Sequence, residues 1–182
     1  MHLLAGIVTA ISWLNSIIGR AFSWLALATV LACFWVVVER YLFSTTQLWM
    51  QDLYVWLGGA MFMAVSGFAL MRDDHVRVDI FYRPAPVRSK AVRDLLGVVL
   101  FLIPYCSVAW IYAYPYVRRS WVLLEPSANP GGMPGLYILK SFILVFILLV
   151  GMQGLAMALR SVLVLAGRDD LLPAQYRYRQ QV

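Results

Sequence analysis

The stretch SFILVFILLVGMQGLAMAL, residues 141–159, contains no charged side chain and lies between Lys140 and Arg160. A bilayer core about 30 Å thick requires roughly 20 apolar residues of helix to cross it. A helix in hydrocarbon satisfies its own backbone hydrogen bonds, whereas an isolated strand does not. The stretch therefore predicts a transmembrane helix.

Three further stretches of the same kind precede it. Residues 21–38, 53–71 and 95–117 are uncharged and continuously apolar, whereas a β-barrel strand alternates over about 10 residues. The pattern predicts an all-α integral membrane protein with four transmembrane helices. We expect one membrane domain over residues 1–182, with spans at about 20–43, 52–71, 94–117 and 137–160 and a cytoplasmic tail at 161–182.

The composition excludes a water-soluble globular enzyme. Hydrophobic residues make up 62% of the chain and charged residues 13%, against about 45–50% and about 25% in soluble domains. A net charge of +6 would suggest nucleic-acid binding in a soluble protein. Here the basic residues lie between apolar blocks, so we predict no nucleic-acid partner and expect membrane lipids instead.

Residues 1–19 form an apolar lead to the first span. Polar side chains at Ser12, Asn15, Ser16 and Arg20 recur at helical spacing, which indicates an amphipathic face. We interpret the lead as an interfacial helix or as the extended cytoplasmic end of one long helix. A cleaved signal peptide is the alternative, but no Lys or Arg precedes the apolar stretch.

Basic residues predict the orientation. Cytoplasmic loops of membrane proteins carry an excess of Lys and Arg, and four spans place 11 of the 15 basic residues on one side. Both termini are therefore predicted to be cytoplasmic. The residues on this side are Arg20, Arg72, Arg77, Arg83, Arg88, Lys90, Arg93, Arg160, Arg168, Arg177 and Arg179.

Prolines and glycines predict where helices begin, bend and stop. Pro104 cannot donate a backbone hydrogen bond, so we expect a kink in the third span near it. The third helix is predicted to begin near Pro86, after a short extended or interfacial segment. That segment would bring Val76, Val78, Ile80 and Phe81 towards lipid. The Pro- and Gly-rich residues 124–136 predict a turn-rich loop or a hinge.

The sequence contains few residues of the kinds that catalyse reactions or bind metals and cofactors. His2 and His75 are the only histidines, which does not provide two haem ligands at membrane depth. Cys33 and Cys106 lie inside predicted spans and are interpreted as small buried hydrophobic residues. No phosphate-binding loop or metalloprotease motif is present. We predict no catalytic residue, metal or cofactor.

Charges lie at the outer ends of the predicted spans and leave their centres uncharged. Glu39, Arg40, Asp52 and Lys140 are the nearest. They are either contacts to a partner subunit or an ion-pair cluster, in which Glu39 and Arg40 pair with Asp52 or Lys140. An independent transporter requires charged groups along its path, so the chain is predicted to be an accessory subunit.

Three motifs carry a family resemblance. They are Trp49-Met50-Gln51-Asp52, the run Arg72-Asp73-Asp74-His75-Val76-Arg77-Val78-Asp79, and the set Ser120-Trp121, Glu125-Pro126-Ser127, Gly131-Gly132-Met133-Pro134, Tyr137 and Lys140. With the four-span plan they resemble the small (DctQ-type) membrane subunit of tripartite ATP-independent periplasmic (TRAP) transporters, nearest to the mannitol/chloroaromatic/2-oxoacid branch. Many relatives carry two carboxylates where this chain has Gln51-Asp52.

The resemblance implies a role as a stator in the bacterial inner membrane. A large membrane subunit would move organic acid and sodium by an elevator motion, and a periplasmic binding protein would deliver the substrate. His75, Arg77 and Asp79 then belong to a cytoplasmic motif. Interface candidates are Glu39, Arg40, Gln51, Asp52, Arg118, Arg119, Glu125 and Lys140, of which Arg118, Arg119 and Glu125 would face the binding protein.

Two other functions remain as alternatives. A self-sufficient small four-helix transporter working as an oligomer would need an acidic residue near the middle of the membrane, but Glu39 is terminal in its span. A membrane enzyme or redox anchor would need cofactor ligands, and the sequence lacks a recognisable set.

Overall fold

The computed structural model describes residues 1–72 and 85–178, and within them it contains helices and no β-strand. The described residues form six α-helices, which we number α1 His2–Ser23, α2 Leu25–Leu42, α3 Leu48–Met71, α4 Val87–Gly97, α5 Ile103–Val122 and α6 Leu136–Leu165. A π-helical turn, Val98–Leu102, joins α4 to α5. Two 3₁₀ turns, Asp169–Leu171 and Ala174–Tyr176, follow α6.

Four helical stretches in the described part of the chain are long and apolar enough to cross a membrane. They are His2–Leu42, Leu48–Met71, Val87–Val122 and Leu136–Leu165. The predicted all-α fold with four spans is therefore confirmed. The helices extend beyond the uncharged runs because polar residues at the ends of a span continue the helical hydrogen bonding outside the hydrocarbon.

The chain packs as two compact units. Unit 1 comprises Met1–Ile17, Gly67–Val108 and Leu148–Val182, and unit 2 comprises Ile18–Ser66 and Ala109–Ile147. The cytoplasmic location of both termini and the single membrane domain stay predictions.

The core of unit 1 joins α1, α6 and the chain that follows α6. Ala5 and Val8 pack with Ala156, Leu163 and Leu172. Leu172 is only 2% exposed, so the predicted tail folds back onto the helices. The Arg177 guanidinium stabilises this fold-back of the tail, because it donates hydrogen bonds to the carbonyls of Leu172 and Asp170, each at 2.7 Å.

The polar side of α1 faces the interior of unit 1. Asn15 is 1% exposed, whereas Trp13 is 60% exposed. The Asn15 amide donates to Gln153 Oε1 at 3.0 Å. A side chain at Gly67 would overlap Asn15 Oδ1 and lie 3.0 Å from Leu149, so glycine permits this close crossing. This burial favours the extended-helix interpretation of the lead, because an interfacial helix presents its polar face to water.

The irregularity expected near Pro104 takes the form of the π-helical turn. The Ile103 N–H bonds to the carbonyl of Val98, five residues back, which widens the helix where proline removes a donor. Gly154 of α6 leaves room for this wider turn, because a Cβ at this position would overlap the Leu102 side chain. The third helix begins at Val87, directly after Pro86, as predicted.

Unit 2 packs through small and aromatic residues. Gly58 lies against the Thr29 methyl group, with 3.8 Å to a built Cβ, and Gly59 lies against Leu139 at 3.5 Å. The rings of Phe22 and Phe142 meet edge to face, with centroids 5.7 Å apart. Such contacts let helices approach closely in lipid, where packing drives their association.

Candidate functional site

The chain between α5 and α6, residues 123–135, folds around the carboxylate of Asp52. We call this segment the Asp52 loop. Asp52 lies near the beginning of α3 and is 6% exposed. Its Oδ1 accepts a hydrogen bond from the Asn129 amide at 2.8 Å, and its Oδ2 accepts one from the Met133 backbone N–H at 2.9 Å. The Ser127 hydroxyl also bonds to it. One buried carboxylate thus binds three points of the loop.

Local bonds give the Asp52 loop the shape that these contacts require. The Ser127 N–H donates to the Met133 carbonyl at 2.9 Å, and the Gly132 N–H donates to the Asn129 carbonyl at 2.9 Å. A Cβ on Gly132 would overlap Asp52 Oδ2 and lie 2.7 Å from Ser127 Oγ. Gly131 has φ +78°, a left-handed conformation that favours glycine.

A second carboxylate holds the two ends of the Asp52 loop together. Glu125 Oε2 accepts from the Lys140 ammonium at 2.5 Å and from the Ser120 hydroxyl at 2.7 Å. Lys140 also lies over the Tyr116 ring, 4.2 Å from its centroid. The bond from Lys140, followed by that from Ser120, lowers the pKa of Glu125 below its ordinary value. Glu125 is therefore ionised throughout the neutral range.

Glu39 and Arg40 do not join this arrangement. Among the described residues, Asp52 bonds to loop donors and Lys140 bonds to Glu125, while Glu39 accepts from the Trp35 indole at 3.1 Å. The hypothesis that Glu39 and Arg40 pair with Asp52 or Lys140 is therefore wrong. The physical reason is that the loop supplies several donors to one carboxylate, which satisfies it better than one exposed cation does.

The other predicted site residues lie apart from the buried contacts. Gln51 is half-buried, and Arg40, Arg118 and Arg119 are exposed. The cytoplasmic motif of His75, Arg77 and Asp79 lies outside the described residues, as does the predicted extended segment with Val76, Val78, Ile80 and Phe81.

A buried polar network in unit 1 was not anticipated from the sequence. Asp94 accepts from Arg160 at 3.3 Å and from the Tyr178 hydroxyl at 2.7 Å. The Arg160 guanidinium lies 4.1 Å from the centroid of the Tyr178 ring, and the Tyr178 hydroxyl also meets Ser161 at 3.1 Å. One signal was available, because Asp94 and Arg160 each border an uncharged run on the same predicted side of the membrane.

The site chemistry is that of structural anchors. Within residues 1–72 and 85–178, no group of three or more His, Cys, Asp or Glu side chains is placed to hold a metal ion. The lone pairs of Asp52 are directed at donors of its own chain. A carboxylate engaged in this way fixes the shape of a surface loop.

Four helices that are long and apolar enough to cross a membrane define a multi-pass membrane protein. The family model "Tripartite ATP-independent periplasmic transporters, DctQ component" matches residues 29–168. The chain belongs to this family and is a small membrane component of a TRAP transporter, in a family of transport components and not of enzymes. The match includes Asp52 and its whole loop. No curated protein and no solved structure matches the chain significantly.

Replacement of the Asp52 carboxylate is expected to destabilise the protein. Asp52→Ala leaves the donors of Asn129, Ser127 and Met133 without their acceptor, which costs about 1–3 kcal/mol. Gly132→Ala should act in the same direction through steric overlap. Gly131→Asn is the control, because nothing lies within 4 Å of its Cβ and Asn tolerates positive φ. Thermal unfolding of the purified protein in detergent measures the effect, and an unchanged melting temperature for Asp52→Ala would contradict it.

The contribution of Glu125 should depend on pH. A carboxyl group whose pKa is lowered in the folded state stabilises the protein above the unfolded value, about 4.3 for Glu, and this stabilisation disappears as pH falls through the folded value. The difference in melting temperature between the wild type and Glu125→Gln should therefore be largest near pH 7 and shrink below about pH 4.3. A difference that stays constant down to pH 3 would rule this out.

The hydroxyl of Tyr178 should stabilise the fold-back of the tail. Burial raises the pKa of Tyr178 to about 12, so the hydroxyl stays protonated and donates to Asp94. Tyr178→Phe should cost about 1 kcal/mol and expose the tail to protease. Tyr41→Phe is the control, since Tyr41 is 79% exposed. Equal protease sensitivity of the two variants would refute the role assigned to the hydroxyl.

Proposed function

We propose that this chain is the scaffold, or stator, subunit of a sodium-coupled TRAP transporter that takes up organic acids across the bacterial inner membrane. Its partners would be a large elevator-type membrane subunit and a periplasmic binding protein. Family membership supports the component role. The finer role is inferred from how the charged groups are bonded.

The observation that carries the proposal is the engagement of buried charged groups with their own chain. Asp52 is bonded by the Asp52 loop, and Asp94 is bonded by Arg160 and Tyr178. Charged groups on a transport path must instead bind and release cargo. Groups tied in this way hold a shape, which suits a rigid neighbour of a moving subunit.

The surface of α2 also supports a scaffold. In the described structure α2 has no buried residue, and its apolar side chains are open to lipid or to another subunit. The exposed apolar side chains of α2 include Leu27, Val30, Leu31, Phe34, Trp35 and Val37. A membrane protein can present such a face at no hydrophobic cost, since lipid and a partner helix are comparably apolar.

Under the predicted orientation, the Asp52 loop would face the periplasm with Arg118 and Arg119 beside it. Both arginines are exposed. Rim charges of this kind mainly change the rate of encounter with a partner. We therefore propose that they meet an acidic surface of the binding protein, while the clamped loop provides a fixed contact.

Reconstitution tests the proposal. The chain should co-purify with its large membrane subunit, and proteoliposomes should accumulate an organic acid only with both membrane subunits, the binding protein and an inward sodium gradient. Accumulation by this chain alone would favour the self-sufficient transporter. Failure to co-purify would contradict the scaffold role, and uptake without sodium would contradict the coupling.

A pair of variants tests the role of the arginines. Arg118→Ser with Arg119→Ser should lower uptake about tenfold or less at low salt, with a smaller effect at high salt, because such charges are screened. Arg168→Ser is the matched control, as this side chain is 47% exposed and lies outside the predicted periplasmic surface. An equal loss in both variants would contradict contact with the binding protein.

A further inference from the structure

A small cavity lies inside unit 1 between α1, the end of α3, α6 and the second 3₁₀ turn. Its volume is about 10 Å³, and its walls include Val8, Ser12, Gln153, Met157, Arg160 and Tyr176. A cavity of roughly 10–15 Å³ holds one water molecule when it offers two to four polar partners.

Arg160 lines this cavity and carries a buried donor. Its side chain is 10% exposed, and one terminal nitrogen donates to Asp94 at 3.3 Å. Its Nε has no hydrogen-bond partner among the described residues. A buried N–H group of this kind is costly unless something accepts its hydrogen bond.

Gln153 brings a second donor. It is 4% exposed, and its Oε1 accepts from the Asn15 amide. This bond fixes the orientation of the Gln153 amide and leaves the two hydrogens of Nε2 for other acceptors. Ser12, which is 2% exposed, adds a hydroxyl that can accept a bond.

We propose that the cavity is a binding site for one ordered water molecule. The water accepts from Arg160 Nε and the Gln153 amide and donates to the Ser12 hydroxyl oxygen. Two donors and one acceptor match the capacity of water, which makes about three bonds when buried. An anion is disfavoured because the Asp94 carboxylate already bonds to Arg160. The water would link α1 to α6 within unit 1.

A map of the transporter complex that resolves ordered waters tests the site directly. A peak should lie about 2.7–3.2 Å from Arg160 Nε and from Gln153 Nε2 or Ser12 Oγ. Well-defined side chains with no peak between them would overturn the proposal. Crystals grown in bromide separate water from a halide, and an anomalous signal at the peak would likewise overturn it.

A matched pair of variants provides a test in solution. Ser12→Thr keeps the hydroxyl. Ser12→Val introduces a valine, which is nearly isosteric with threonine but lacks the hydroxyl. Ser12→Val should melt several degrees below Ser12→Thr, and the gap should exceed the gap between the wild type and Thr9→Val. Thr9 is the control because its hydroxyl bonds to the Ala5 carbonyl at 2.9 Å and it does not line the cavity.

The sign of the difference in melting temperature between Ser12→Val and Ser12→Thr distinguishes a hydrated cavity from a dry one. In a dry cavity the apolar valine is at least as favourable as threonine. A Ser12→Val variant as stable as Ser12→Thr, or a gap no larger than that at Thr9, would therefore contradict the water site. Both outcomes are independent of transport, so they leave the proposed function untouched.

Discussion

Hydrocarbon offers no hydrogen-bond partner, and this constraint determines where each polar group of the chain can be placed. Backbone groups in the spans are satisfied within helices. A polar side chain such as Asn15 is not satisfied by the hydrogen bonds of its own helix backbone, and its amide instead donates to Gln153 on another helix. The same rule explains why Asp94 meets Arg160 and Tyr178. In each unit, the polar bonds therefore decide which helices are neighbours, while apolar packing determines how closely they approach.

The Asp52 loop shows the constraint at a surface. A segment rich in glycine and proline would ordinarily sample many conformations, and fixing it costs entropy. Asp52 and Glu125 offset this cost, because each carboxylate accepts bonds from more than one donor. A loop that is ordered before it meets a partner loses less entropy on binding. A clamped loop is therefore a better contact surface than a flexible one.

The sequence predicted the elements that depend on local patterns. Uncharged runs identified the four spans, Pro86 marked the beginning of α4, and Pro104 marked the irregular turn. These features depend on neighbours within a few residues. The resemblance of the motifs also indicated the family correctly.

Contacts between distant residues could not be predicted in the same way. Asp52 was singled out, but its partner Asn129 lies 77 residues further along the chain, and the Met133 N–H carries no side-chain signature. Pairing with Glu39 looked plausible only because both residues lie at span ends. The polar face of α1 was visible, yet periodicity alone does not distinguish a face towards water from a face towards Gln153. The pairing of Glu39 was wrong, and the environment of the α1 face stayed open between two interpretations, because a pattern shows which residues share a face and not what that face meets.

Glycine at three positions turns these polar bonds into close packing. A Cβ at Gly67 would overlap Asn15, and one at Gly132 would overlap Asp52. Gly154 similarly makes room for Leu102 beside the π-helical turn. Glycine inside a helix, as at Gly67 and Gly154, costs about 0.5–1 kcal/mol relative to alanine, so such positions persist where close packing contributes more stability than this. At Gly67 and Gly132 the missing side chain lets the buried side chains of Asn15 and Asp52 lie against the backbone, so it adds to the rigidity that their hydrogen bonds provide.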